Sequence, residues 1–162
     1  MVLFKPHKGM NKPDSFITFK EQFIQMKTHT TNYTNTFIVV ADDCPAPAGI
    51  VPPTKGDTKT VANLQFEMIS KNPYAYTSDD VLFQVFVERN NLIESELPEA
   101  KEKFFSKGQA CFRASPLTKR YGWGIHCDKD GNMAIYSVGS DSYRNLAEDA
   151  NLKVVKAMKS SR

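Results

Sequence analysis

The chain has 162 residues, a formal net charge of +3 and hydrophobic and charged fractions of 41% and 24%, ordinary values for one globular domain that exclude a disordered or fibrous polymer. The longest apolar runs, Val81-Leu82-Phe83 and Val85-Phe86-Val87, are split by Gln84 and are far too short for a helix to cross a bilayer, so no membrane partner is expected. Residues 1–25 carry a net charge of +2, and from Arg113 onward nine basic residues face five acidic ones, a local patch that supports nucleic-acid binding only weakly.

Residues 1–25 mix Pro6, Pro13 and Gly9 with four lysines and scattered aromatics. They read as an extension outside the core, with Met26 as an alternative start and residues 26–162 as a single domain. The competing reading is a true arm, because Phe16-Ile17-Thr18-Phe19 and Phe23-Ile24 hold apolar surface that could dock in a homodimer. The polar run from Thr28 to Thr36 either lines a site or satisfies its own backbone, and the second reading is favoured.

Thr36 to Ala41 has the β-branched composition of a buried strand. Four prolines and two glycines make residues 42–57 a long loop, which is uncommon without a task. Asp57 or Thr58 is expected to cap a helix carrying Val61, Leu64, Met68 and Ile69, which ends before Asn72-Pro73. Ser78-Asp79-Asp80 predicts a second helix to Asn91, although residues 81–87 also alternate like a strand. Leu97, Ala100, Phe104 and Phe105 predict a third helix, stopped by Gly108.

Beyond Gly108 the texture turns to strands. Ala110 to Ser115 is expected to pair with Tyr121 to Cys127, and Asp130-Gly131 predicts a hairpin into Asn132 to Val138. Ser140 caps a short helix through Asp149, and Leu152 to Met158 forms a last strand. The fold class is α+β, a single domain with a mostly antiparallel sheet packed with about three to four helices.

The densest chemistry lies between Cys111 and Asp128. Arg113, Lys119 and Arg120 suit phosphate or carboxylate, Ser115 and Thr118 add hydroxyls, and Tyr121 and Trp123 offer stacking faces. On a strand, Tyr121, Trp123, Ile125 and Cys127 share one face, while Gly122, Gly124 and His126 share the other. The glycines leave room for a ligand or for a packed helix. His126, Cys127 and Asp128 cannot chelate one ion together from a straight strand, and paired Cys or His spacings do not occur, so no metal is assigned. No cofactor motif is found. Nucleophilic catalysis would need Cys44, Cys111 or Cys127 with His126 or His29, and no local signature marks one.

From Met26 onward the chain resembles a family of small bacterial proteins classed as a domain of unknown function. The resemblance is carried by His29-Thr30-Thr31-Asn32-Tyr33, by Gln65 to Tyr74, by Ser78 to Phe83 and by Arg113 to His126. It implies a bacterial cytoplasmic protein and supplies no activity. Three cysteines without a disulfide framework, and no apolar leader, point independently to a reducing, cytoplasmic setting. The leading expectation is a binding module for an anionic small molecule, with Arg113, Ser115, Lys119, Arg120, Tyr121, Trp123 and His126 as ligand-binding residues. The alternatives are an enzyme using His126 or His29 with a cysteine or carboxylate, and a protein-interaction or homodimerisation module.

Overall fold

A computed structural model describes residues 28–161; the extension at residues 1–25 and the start at Met26 lie outside the described residues. Four strands, β1 (Thr36–Val39), β2 (Trp123–Cys127), β3 (Met133–Ser137) and β4 (Lys153–Lys156), form one sheet in the order β3-β2-β1-β4. β1 pairs antiparallel with β2, and β2 with β3, while β4 runs parallel to β1. The sheet is therefore mixed, with two of its three pairings antiparallel. Five α-helices accompany it among the described residues: α1 (Val61–Lys71), α2 (Ser78–Arg89), α3 (Leu97–Phe105), α4 (Pro116–Lys119) and α5 (Asp141–Ala147). None is long and apolar enough to cross a membrane.

The apolar stripe of α1 and α2 explains one face of the sheet. Leu64 and Ile69 from α1 and Val81 and Val85 from α2 pack with Ile38, Ile125, Cys127 and Met133 of the strands, and Leu117 of α4 joins them. Residues 81–87 are helical rather than extended, because Val81 and Val85 recur at the four-residue spacing that a helix turns into one buried stripe. α1 and α2 start from Thr60 and Thr77, one to three residues away from the expected caps. Each threonine accepts the third helical N–H, while Asn63 and Asp80 return a bond to the cap backbone.

The polar run before β1 has a use that sequence reasoning did not separate. Asp79 of α2 accepts from the Thr30 hydroxyl at 2.7 Å and the Thr31 N–H at 2.8 Å, and Asn32 Oδ1 accepts the Asp79 N–H at 2.9 Å. The segment therefore locks the N-terminal turn of α2.

The strand expected at Ala110 to Ser115 does not form. Phe112–Ala114 is a 3₁₀ turn, Ser115 caps α4 and Pro116 occupies its first turn, a position where the missing N–H costs nothing. Phe112 and Leu117 are thereby driven into the core. Tyr121 to Cys127, shortened to β2, finds its partners in β1 and β3 instead. The long loop is tied down: Trp123 Nε1 donates to the Ile50 carbonyl at 2.8 Å, Ile50 N–H to Tyr121 at 2.8 Å, and Asn63 Nδ2 to Pro52 at 2.7 Å.

Candidate functional site

Successive residues of β2 face opposite sides of the sheet. Ile125 and Cys127 enter the core, with Trp123 against its margin; burial pushes the Cys127 thiol up to about 12, so it stays protonated. Gly124 and His126 face the other side, where α5 lies. A Cβ at Gly124 would come within 2.5 Å of Tyr143 and 2.7 Å of Phe37. The glycine thus admits the ring of Tyr143, which meets Phe37 edge-on at 5.0 Å.

α5 is only two turns long and covers part of that face. His126 lies on the same face, opposite Phe37 of β1 and Ala134 of β3. The Tyr74 hydroxyl stands 2.8 Å from His126 Nδ1 and 2.6 Å from the Tyr136 hydroxyl. The Tyr74 and His126 rings meet edge to face at 5.6 Å. Tyr74 arrives from the turn after α1, closed by Ala75 N–H donating to Asn72 at 3.2 Å. Pro73 is second in this turn and Tyr74 third, at φ 59°. Glycine usually holds that place. For a bulky side chain the left-handed backbone costs on the order of 1–3 kcal/mol. Tyr74 N–H, donating to Met133 at 2.8 Å, holds it there.

Burial holds the His126 imidazole below its usual range, and the weaker pull of Asp128 and Asp149 opposes it; the ring is neutral at pH 7. Burial, then the bond to Tyr136, raises the Tyr74 phenol well above its ordinary value, so it keeps its proton. That proton has two acceptors in reach. If Tyr74 donates to Nδ1, Nε2 carries the imidazole proton; if Tyr74 donates to Tyr136 and accepts from Nδ1–H, Nε2 is a free base. Nε2 has no protein partner among the described residues. Because no described side-chain N or O is both buried and unpartnered, Nε2 opens to solvent.

The residues singled out by sequence separate. Ser115 is buried, accepting Leu117 N–H at 3.1 Å and donating to Gln65 Oε1 at 2.6 Å, and Thr118 donates to Phe112 at 2.8 Å. Arg113 Nε donates to the Lys156 carbonyl at 2.7 Å. Lys119 and Arg120 end α4 without an ion pair among the described residues, and Tyr121 packs on the core margin. Trp123 tilts against Phe66 at 5.5 Å and covers Gly49. His126 alone joins the polar triad. His29 is elsewhere, its N–H donating to Phe105 at 2.9 Å, and no cysteine bonds a histidine among the described residues. Tyr74 and Tyr136 escaped sequence reasoning because they lie 52 and 10 residues from His126. The one local signal was an Asn-Pro-Tyr turn where Asn-Pro-Gly would be expected.

Fold and site together define a small α+β protein with a tyrosine–histidine–tyrosine network on the half-open face of a four-stranded mixed sheet. Residues 28–162 match the model of a family of unknown function, DUF6157. The chain belongs to that family. No curated protein and no solved structure matches it.

Proposed function

We propose that the protein binds a small polar molecule on the open half of the sheet and exchanges a proton with it through His126. The reading rests on the Tyr74 hydroxyl, 2.8 Å from His126 Nδ1 and 2.6 Å from Tyr136. A neutral imidazole with Nε2 open is a general base near neutral pH. The two phenols let the ring change tautomer without losing a hydrogen bond. Asp128 and Asp149 favour the imidazolium once a proton is taken, and favour a neutral or cationic substrate, such as an alcohol or amine, over an anion.

The test follows the His126 ring resonances by NMR while amines, alcohols, carboxylates and phosphate monoesters are titrated. An amine or alcohol should move them saturably. Tyr74→Phe should abolish the movement and, by removing both hydrogen bonds of the hydroxyl, cost about 1–2 kcal/mol of stability. A His126 signal that no compound moves, or that moves equally in Tyr74→Phe, rejects the reading. Saturation by a phosphate monoester with shifts at Arg113 and Arg120 would support the anion-binding alternative.

A further inference from the structure

On the helical side of the molecule, away from His126, a cavity of about 260 Å³ lies among α1, α2, α3 and the turn leading into α4. Its walls are mostly apolar, from Val61, Leu82, Phe104 and Pro116, and they include no charged side chain. Three polar side chains also line it: Gln109, whose Nε2 donates to the Phe104 carbonyl at 2.7 Å, Ser115, and the more deeply buried Gln65. Gln65 lines the cavity and is 3% exposed. Its Oε1 is taken by the Ser115 hydroxyl at 2.6 Å. Ser115 Oγ already accepts the Leu117 N–H as the cap of α4, so its own proton goes to Gln65. That bond fixes which way the carboxamide points. Gln65 Nε2 is then left without a protein partner among the described residues, yet it is not sealed off. The cavity is where it opens.

A nine-tenths-buried amide donor held in orientation by a second side chain, facing an apolar space, is the pattern of a small-molecule site: apolar walls supply affinity and one placed polar group sets orientation. The volume is sufficient, since an apolar cavity of roughly 150 Å³ already takes benzene. A charged ligand would be desolvated with no counter-ion in the walls. We propose that this cavity binds a small, neutral, mostly apolar molecule carrying a carbonyl, which accepts a hydrogen bond from Gln65 Nε2. Cys111, half-buried in the lining and sharing a hydrogen bond with the Tyr33 hydroxyl at 3.4 Å, serves as a reporter of occupancy.

The experiment titrates the full chain with acetophenone, and with ethylbenzene as a probe of similar shape that lacks the acceptor. The Gln65 side-chain amide is followed by NMR and Cys111 alkylation by mass spectrometry. Acetophenone should bind saturably, shift the Gln65 amide and slow alkylation of Cys111. It should bind about three- to tenfold more tightly than ethylbenzene, the worth of one hydrogen bond. Gln65→Leu should bring the two probes to equal affinity, and Leu82→Trp, which fills the cavity, should abolish both. No saturable shift, or equal affinities in the unsubstituted protein, means the cavity holds ordered water only and overturns the proposal. The comparison of the two probes needs no variant, so it decides even if Gln65→Leu fails to fold.

Discussion

Tyr74 and His126 illustrate how much a single residue's setting can depart from its type. A phenol placed where the backbone asks for glycine is held by Met133 from one side and by His126 and Tyr136 from the other. Its strained turn is therefore bound to a hydroxyl that spans two partners. His126 has a folded-state pKa below the ordinary value of about 6.5. Between that value and its folded pKa the unfolded chain binds the proton and the native one does not. Its contribution is thus intact above pH ~6.5 and is lost as pH falls through the folded pKa. We predict that His126→Gln flattens the decline in stability between pH 7.5 and 5, measured as urea midpoints. Parallel declines in the two proteins would contradict the assignment. Little of this was visible from His126 alone: Cys127 faces the core, and Asp128, which does act on the ring, gives no sign of the two phenols.

Among the helices and strands, those that carry their own local signal are legible in the sequence. The Asp130-Gly131 turn, with Gly131 at φ 84°, joins β2 to β3 as expected, and Ser140 accepts Tyr143 N–H at 3.2 Å to cap α5. α4 went unread because four residues cannot display a helical period, and its neighbours Ala110 to Ser115 have a strand-like composition. Ser115 shows what decided the matter. Its hydroxyl caps α4 and satisfies the buried Gln65 Oε1 at once, so a helix start there serves both the Leu117 N–H and that oxygen. Ser115→Ala should cost about 2–4 kcal/mol, one cap plus one buried acceptor left unpaired. Chemical denaturation measures it, and a loss below 1 kcal/mol would show that the two roles are not joined.

For the molecule as a whole, the long loop is tied to β2 and β3 and the C-terminal tail is tied to the start of that loop. Trp123 anchors the loop through Ile50, and Asp43 accepts the Ser160 and Ser161 N–H groups at 2.9 and 3.0 Å. Those bonds hold the Asp43 carboxyl below its usual range. Trp123→Phe keeps an aromatic ring beside Phe66 but removes the indole donor. It should cost about 1 kcal/mol globally while trypsin cleavage at exposed Lys55 accelerates several-fold, because the loop opens locally before the core does. Unchanged cleavage would place the loop's stability in its other bonds. The α+β class, most element positions and the alternation of β2 follow from local residue patterns, because hydrophobic period and turn chemistry act over a few residues. That β4 joins parallel to β1, that Ser115 and Trp123 serve internal contacts, and that Tyr74 and Tyr136 meet His126 emerge only from the folded arrangement. Such pairings depend on which buried surfaces and hydrogen-bonding groups come together across tens of residues, and local pattern carries no record of that.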